Sequence, residues 1–322
     1  MGRRGLVSII IPVYNSGERL AECLESVVAQ SYPAIEVIIV DDCSTDGSLE
    51  ICREYETKYP FIHVYTKENK GVSAARNFGI AKAEGEYLQF ADSDDRLEPD
   101  ACRQLVECME RDGSDLVVGG YYNEKQRRDN RYPERRYGSR TEFIREFPTL
   151  FSRFFLHVPW NKLYRREKIQ AQFPEDLSKG EDLLFNLQVF SQVEKISVLG
   201  EVLYFYHNTG DGTLSFRFRE DAMEIEERLY IAVRDFYTEN GGGDLAFLER
   251  FYLEAIKNKF YALTGKSGYN RKKCCEIIRE WIARDTVRSL YDKRKGFCVK
   301  DRILLFLMRH TCVFLLYLYY KP

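Results

Sequence analysis

The sequence has almost no excess charge of either sign. Its 322 residues include 48 Lys and Arg against 50 Asp and Glu, which leaves a net charge of −2. So balanced a chain gives no reason to expect nucleic acid as a partner. Its nine cysteines show neither a zinc-site spacing nor a disulfide framework. Reduced, mostly buried thiols are the simplest interpretation, and they predict a cytoplasmic protein.

The sequence also lacks a clear leader peptide and a clear membrane span. The first apolar run is short and contains Pro12, which predicts a strand and not a signal peptide. The most hydrophobic segment, 301–322, is interrupted by Arg309 and His310, and a charge at the centre of a span costs about 2.5–3.5 kcal/mol. The segment predicts an amphipathic helix at the membrane interface or against a partner, with a buried core helix as the alternative.

What the sequence does contain is a regular alternation of strand and helix patterns up to about Tyr122. Continuous β-branched runs such as LVSIIIPV and IEVIIV are typical of strands buried on both faces, and amphipathic segments separate them. This alternation predicts an α/β fold, Rossmann-like, with a mostly parallel sheet flanked by helices. Long helical patterns follow after about residue 216, so a helical C-terminal extension is expected.

Polar residues follow the predicted strands where each strand ends. Tyr14 and Asn15 come after the first strand, Asp41–Asp46 after the second, and Asp92–Asp95 after a later one. Ligands of open α/β sheets bind beyond the carboxyl ends of the strands, so these side chains are expected along one rim. The pair Asp92 and Asp94 suits Mg²⁺ or Mn²⁺, which leave positions for phosphate and water. A turn with a helix cap is the alternative.

Four segments carry, in this order and spacing, a resemblance to a known family: VSIIIPVYNSGERLAECLESVVAQSY, IIVDDCSTDGS, ENKGVSAARNFGI and FADSDD. They resemble the nucleotide-sugar domain of the family 2 inverting glycosyltransferases with the GT-A fold, of the bacterial surface-polysaccharide type. The resemblance continues more sparsely through PWNKLYRREKI, KGEDLLFNLQVF and LYFYHNTGDGTLS. It implies a donor-binding half at 1–122, an acceptor-side half at 123–215 and a helical region at 216–322.

The resemblance implies a UDP-sugar as donor. The donor-binding residues that it implies are Pro12, Val13, Tyr14, Glu18, Asp42, Arg76, Asp92 and Ser93. Among them, Asp42 would accept the N3 hydrogen of uracil, which cytosine lacks, and Asp92 would lie near the ribose or the sugar. For Arg76, an ordinary surface ion pair is the alternative.

The resemblance also implies a divalent cation, Mn²⁺ or Mg²⁺, with Asp94 as its principal ligand. His207, one of four histidines, would lie near the metal or the diphosphate, and a structural role is the alternative for it. A cation so placed would neutralise the diphosphate of the donor and make it a better leaving group.

On the acceptor side, Glu181 and Asp182 lie in the first turn of a predicted helix, where the helix N-terminus favours an ionised carboxylate. The resemblance implies that Asp182 is the general base that takes the proton of the acceptor hydroxyl. Helix-end charge alone is the alternative. Trp160, Asn161 and Lys162 match a segment that borders the acceptor in the family, although Trp160 equally suits the core.

Together these features predict a metal-dependent inverting glycosyltransferase that moves a sugar from a UDP-sugar to a hydroxyl of a growing cell-surface glycan or a lipid-linked saccharide. A peripheral position on the inner face of the cytoplasmic membrane would suit an acceptor carried on a lipid. The alternative is a non-catalytic subunit that binds sugar nucleotides or serves as a scaffold in polysaccharide assembly. Asp94 together with Asp182 argues against it, because a binder needs the first and not the second. No oligomeric state is predicted.

Overall fold

The computed structural model describes residues 2–177, 179–207, 218–293 and 297–321. The chain forms two compact units, Met1–Gly210 and Asp211–Pro322. The last part of the resemblance, NTGDGTLS at 208–215, lies outside the described residues.

The first unit is built around one mixed sheet. Its strands are β1 (Arg3–Val13), β2 (Ile35–Asp41), β3 (Ile62–Thr66), β4 (Gly85–Phe90), β5 (Arg96–Leu97), β6 (Leu116–Asn123), β7 (Arg128–Asn130), β8 (Arg135–Tyr137), β9 (Lys162–Arg165) and β10 (Ile196–Tyr206). Its helices are α1 (Arg19–Val28), α2 (Ser48–Lys58), α3 (Val72–Lys82), α4 (Ala101–Asp112), α5 (Arg140–Ser152) and α6 (Glu181–Gln192). The strands lie in the order β3-β2-β1-β4-β9-β6-β10-β5, with β7 beside β6 and β8 beside β10.

The N-terminal half of this sheet is parallel. β1 pairs with β2 and with β4, and β2 pairs with β3, all in parallel. The strands β1, β2 and β4 are apolar runs buried along most of their length, which is typical of parallel sheets covered on both faces. The amphipathic helices α1 and α4 pack their apolar faces into the same hydrophobic cluster as β1. The predicted α/β sheet flanked by helices is confirmed.

The strand β9 makes the whole sheet mixed, because it runs antiparallel to both of its neighbours, β4 and β6. Two successive reversals restore the original direction, and β6 is in turn parallel to β10. The strands β1, β2, β4, β6 and β10 therefore all end at the same edge of the sheet. The polar residues that follow these strands lie along this one edge, which is called the rim below.

The second unit is helical in its described part. Its helices are α7 (Ala222–Glu239), α8 (Ala246–Lys266), α9 (Arg271–Ile282), α10 (Asp285–Arg288), α11 (Val299–Arg309) and α12 (Val313–Tyr320). The apolar tail forms α11 and α12, which are separated by a turn where Thr311 has a φ of 52°. The helix α12 packs against α8, α9 and α11. None of the helices in the described ranges combines the length and the apolar character that crossing a bilayer requires.

The division of the first unit into two functional halves stays a prediction. The predicted boundary between the donor and acceptor halves, at 122 and 123, falls at the end of β6 and within the continuous sheet. The two compact units meet in sequence at residues 210 and 211, whereas the predicted boundary of the helical region is at 215 and 216.

Candidate active site

Asp92, Asp94 and Asp95 follow β4, and the structure gives them different environments. Asp95 is buried. Its carboxylate accepts hydrogen bonds from Tyr204 Oη at 2.8 Å and from the backbone N–H of His207 at 2.7 Å. Asp95 therefore ties the end of β4 to the end of β10, and its role is structural.

Asp94 is the exposed carboxylate of the three. It makes no hydrogen bond or ion pair with any other residue in the part of the chain that the structure describes. Loss of water and the nearby charge of Asp92 raise the pKa of Asp94, and Arg19 and His207 oppose that rise. A further positive charge beside Asp94 is thus electrostatically favoured.

His207 follows β10 directly, with one ring nitrogen engaged and the other unused. Its Nδ1 contacts the carboxylate of Glu124, whereas Nε2 is buried and has no hydrogen-bond partner among the described residues. A carboxylate at one ring nitrogen is typical of histidines that bind a metal through the other. The sequence analysis did not identify Glu124, because it meets His207 only through the pairing of β6 with β10.

The donor atoms of Asp94 and His207 are of the kinds that a divalent cation such as Mn²⁺ accepts, carboxylate oxygen and imidazole nitrogen. Within the described ranges, no group of three or more His, Cys, Asp or Glu side chains is placed to hold a metal. A cation that binds a nucleotide takes oxygens from the phosphates and keeps several waters, so one or two protein ligands are enough. Asp94 and His207 as metal ligands stay predictions.

Arg76, on α3, joins two carboxylates from distant parts of the chain. Its Nη1 donates to Asp182 at 2.6 Å, and its Nη2 donates to Asp92 at 2.7 Å. Glu181 lies 3.8 Å from Nη1. Because Arg76 is only 3% exposed, its ion pairs are buried and are not those of an ordinary surface residue, while its role in donor binding stays a prediction. The structure thus brings four of the predicted site residues into one cluster.

Asp182 lies in the first turn of α6, and Gly180 precedes the helix in the left-handed region at a φ of 82°. Loss of water raises the pKa of Asp182 to about 7, although Arg76 lowers it, and the charges of Glu181 and Asp92 raise it further. A carboxylate with a pKa close to neutral is well matched to taking and releasing a proton at that pH.

The raised pKa of Asp182 predicts a pH-dependent loss of stability. The native pKa of about 7 lies above the ordinary value of 3.8, so the native state binds more protons than the unfolded state. The free energy of unfolding should therefore fall as the pH rises from about 4 to about 7. Asp182→Asn removes this contribution. The free energy of unfolding, measured by denaturant titration at several pH values, should therefore change with pH differently in the two proteins, by on the order of 1–3 kcal/mol over that range. Parallel curves would contradict the raised pKa.

The loops after β1, β2 and β4 bond to one another along the rim. The side-chain oxygen of Asn15 accepts a hydrogen bond from the backbone N–H of Thr45 at 2.8 Å. The hydroxyls of Ser16 and Ser93 share a hydrogen bond at 2.6 Å. Three segments that are far apart in sequence therefore form one continuous polar edge, and Ser93 lies within it.

Asp42, at the end of β2, is 3% exposed. Its carboxylate accepts hydrogen bonds from the backbone N–H groups of Lys70 at 3.0 Å and Gly71 at 2.7 Å, and it forms an ion pair with Lys67. A carboxylate has about four lone-pair sites, so one acceptor site remains after these three contacts. The predicted bond from Asp42 to uracil stays a prediction.

The end of β1 offers one open aromatic ring. Pro12 and Val13 are buried, whereas Tyr14 is 54% exposed. Glu18 is exposed and directly precedes α1. Of these predicted donor residues, Tyr14 is therefore the one with a surface on which a flat base can stack, and Pro12 and Val13 support the loop that holds it.

Trp160, Asn161 and Lys162 lie in the core and not on an open acceptor surface, which corrects the prediction for them. Trp160 is 3% exposed and stacks on Tyr204, with ring centres 4.3 Å apart. Lys162 is fully buried, and its Nζ donates at 2.8 Å both to the carbonyl oxygen of Phe155 and to the side-chain oxygen of Asn161. These contacts satisfy the polar groups internally, and burial lowers the pKa of Lys162.

Comparison with known proteins places this site in a family. The family model described as Glycosyl transferase family 2 matches residues 8–173, just over half of the 322 residues. The uncharacterized glycosyltransferase EpsJ of Bacillus subtilis is 29% identical over 98% of this chain and 96% of its own length. The poly(ribitol-phosphate) beta-N-acetylglucosaminyltransferase TarS of Staphylococcus aureus is 27% identical over 85% of this chain, which spans 48% of that longer protein.

Solved structures show the same fold. The crystal structure of S. aureus TarS 1-349 in complex with UDP-GlcNAc matches with a TM-score of 0.69 and 23% identity, over 96% of this chain and 88% of that chain. The mannosyltransferase PcManGT from Pyrobaculum calidifontis, in complex with GDP-Man and Mn²⁺, matches with a TM-score of 0.56 and 18% identity, over 98% and 88% of the two chains. The chain thus has the GT-A fold, and the family model matches residues 8–173. It belongs to glycosyl transferase family 2 and is a glycosyltransferase that transfers a sugar from a nucleotide sugar.

Proposed function

We propose that the protein transfers a sugar from a UDP-sugar, with inversion at the anomeric carbon, to a hydroxyl of a growing cell-surface glycan or a lipid-linked saccharide. The observation that carries this proposal is the position of Asp182, which is joined through Arg76 to Asp92 on the rim. The name of TarS describes transfer to poly(ribitol phosphate), and one of its structures contains UDP-GlcNAc. Both support a UDP-sugar and a polymeric acceptor for this chain.

In this reaction the acceptor hydroxyl oxygen attacks the anomeric carbon from the face opposite the diphosphate. The bond from that carbon to the diphosphate oxygen breaks, and UDP departs with the electron pair. Asp182 takes the proton of the hydroxyl, and its near-neutral pKa lets it release that proton before the next turnover. When bound at Asp94 and His207, Mn²⁺ or Mg²⁺ would neutralise charge on the diphosphate and make it a better leaving group.

The decisive experiment is a screen of sugar nucleotides by thermal shift and by release of the nucleoside diphosphate, with and without Mn²⁺. UDP-sugars should bind and turn over, and CDP-sugars should not, because cytosine lacks the N3 hydrogen that Asp42 would accept. GDP-sugars are a more demanding comparison than CDP-sugars, because guanine, like uracil, offers N–H donors to a carboxylate. Binding of UDP-sugars without turnover on any acceptor would favour the non-catalytic subunit instead.

The tail formed by α11 and α12 is proposed to contact the inner face of the cytoplasmic membrane. One face of each helix is buried, with Leu304, Leu305, Met308, Val313, Leu316 and Tyr317. The opposite faces are apolar as well but remain exposed, with Val299, Ile303, Phe306, Phe314, Leu315, Leu318 and Tyr319 each at least 50% exposed. The tail is therefore core on one side and exposes an apolar surface on the other. The buried face fits the core alternative, and the exposed face is the part that would meet the membrane.

Basic residues flank this exposed surface, which suits an anionic bilayer. Arg271 lies over the ring of Phe314 at 5.7 Å. Lys272 and Lys273, next to it at the start of α9, are exposed, and so is Lys300 on α11. Lysine and arginine beside an apolar surface attract it to anionic lipid headgroups, at about 1 kcal/mol for each residue near the membrane.

The double variant Phe306→Ser and Leu318→Ser should lose most of its affinity for vesicles that contain phosphatidylglycerol. Burying two such side chains contributes several kcal/mol, so co-sedimentation should weaken by at least ~10-fold. Point substitutions are preferred to deletion of 301–322, because deletion would also remove the buried faces of both helices.

Phe154→Ser is the matched control, since Phe154 is 52% exposed and lies in the first unit. It should bind vesicles like the wild type. Unchanged binding of the tail variant would contradict the membrane contact. Dimers of the wild type in sedimentation velocity that dissociate in the tail variant would show that a second copy covers this surface.

A further inference from the structure

Arg76 lies behind the two carboxylates that it joins. The side chains of Asp92 and Asp182 are 27% and 22% exposed, whereas that of Arg76 is 3% exposed. A ligand that enters the site can therefore reach the carboxylates but not the guanidinium. Arg76 is predicted to point toward the donor, and in the structure its guanidinium faces Asp92, through which it would act on the donor side.

The guanidinium of Arg76 is held in place from a second direction. Its plane lies over the ring of Phe173 at 5.2 Å, and that ring stacks on Phe185 of α6 at 3.9 Å. The side chain of Asn77, the next residue on α3, donates to the carbonyl of Phe173 at 2.9 Å and accepts from its N–H at 2.8 Å. Arg76 is thus fixed relative to α6, and its two hydrogen bonds set where both carboxylates lie.

Among the charged and titratable groups around Asp182, Arg76 is the basic group with the largest effect on the pKa of that carboxylate. Glu181 precedes it on α6, Asp92 faces it from the end of β4, and Lys162 and Tyr164 face it from β9. The two acids disfavour an ionised Asp182. Of the two basic groups, Arg76 has the larger effect, and the Nζ of Lys162 is already bonded to oxygens of the core.

We propose that Arg76 is a positioning residue that couples the donor side of the site to the general base. One guanidinium nitrogen holds Asp182 and the other holds Asp92, so a donor that binds at Asp92 changes how strongly the charge of Arg76 acts on Asp182. This inference rests on the proposed role of Asp182 as the base. It means that the proton affinity of the base responds to the presence of the donor.

The test compares pH–rate profiles of the wild type, Arg76→Gln and Arg76→Lys. Without the positive charge, the pKa of Asp182 should rise. The acid limb of kcat in Arg76→Gln should therefore shift to higher pH by at least about one pH unit. The rate should then recover partly at high pH. Arg76→Lys keeps the charge but loses the planar guanidinium that donates to both carboxylates. Its acid limb should therefore stay close to that of the wild type while kcat falls at every pH.

Coupling itself is read by comparing the acid limbs of two pH profiles, that of kcat/KM for the donor and that of kcat. The acid limb of kcat/KM for the donor reports the free enzyme, and that of kcat reports the complex. These limbs should differ in the wild type and coincide in Arg76→Gln. Arg165→Gln is the matched control, because Arg165 also bridges two carboxylates, Glu86 at 2.8 Å and Glu110 at 3.0 Å, and lies over Tyr87. Its profile should be that of the wild type.

A fall in rate that is equal at every pH in Arg76→Gln, or identical limbs in the wild type, would overturn the inference. If Arg76→Gln does not fold, the acid limbs of kcat/KM and kcat in the wild type and the profile of Arg76→Lys still test the coupling. Asp182→Asn separates the two proposals. Near-normal turnover of that variant would refute the base itself, whereas its loss of activity beside an unshifted Arg76→Gln profile would refute only the coupling.

Discussion

Asp182→Asn is expected to lower kcat by about 10²–10⁴-fold, the usual contribution of general base catalysis. Asparagine keeps the shape of the side chain and can still accept the hydrogen bond from Arg76, but it cannot take a proton. A base acts in the transition state and contributes little to binding of the ground state. UDP affinity, measured by calorimetry, should therefore stay within a few-fold of the wild type.

Glu181→Gln is the matched control for this prediction. Glu181 is the neighbouring acid in the same first turn of α6, and it lies farther from Arg76, at 3.8 Å against 2.6 Å for Asp182. Its substitution should change kcat much less. If instead Asp182→Asn kept near-normal turnover while Glu181→Gln lost it, Glu181 would be the base.

Asp94→Ala is expected to abolish Mn²⁺-dependent binding of UDP and to lower kcat/KM by at least ~10²-fold, the scale of losing one electrostatic stabiliser of the developing charge. The protein should remain folded, because Asp94 is exposed and bonds to no other described residue. Binding of UDP with and without Mn²⁺, followed by calorimetry, and circular dichroism of the variant check both parts.

Two neighbouring acids show whether this effect belongs to Asp94. Asp100→Ala changes an acid that is 57% exposed and lies outside the rim, and it should leave metal-dependent binding intact. Asp95→Ala should instead destabilise the fold, because it leaves Tyr204 Oη and the N–H of His207 without their acceptor. If Asp94→Ala still bound UDP with its usual metal dependence, the turn-and-cap interpretation of Asp92–Asp95 would stand.

The sequence was sufficient for those features that depend on neighbouring residues. The apolar β-branched runs identify β1 and β2, and the polar residues after them identify the rim, because strand ends in a parallel sheet share one edge. It could not separate the roles of Asp92, Asp94 and Asp95. Three adjacent acids look alike in a sequence, and burial and partners distinguish them only in the fold.

The tail and Trp160 show a second limit. Composition alone allowed both core and surface for each of them. An apolar pattern indicates that burial of a side chain is favourable, but it does not indicate which neighbour covers that side chain. In the structure Trp160 is enclosed by aromatic rings, and α11 and α12 each bury one apolar face and expose the other.

By itself, the sequence determined the α/β fold, the rim and the candidate residues on it. Only the tertiary structure decided which of them act together. Arg76 meets Asp182 across 106 residues, and His207 meets Glu124 through the pairing of β6 with β10. The physical reason is that hydrogen bonds and ion pairs act over a few ångströms, so they depend on the order and direction of the strands. That order follows from the packing of the whole core, including the reversed strand β9 between β4 and β6.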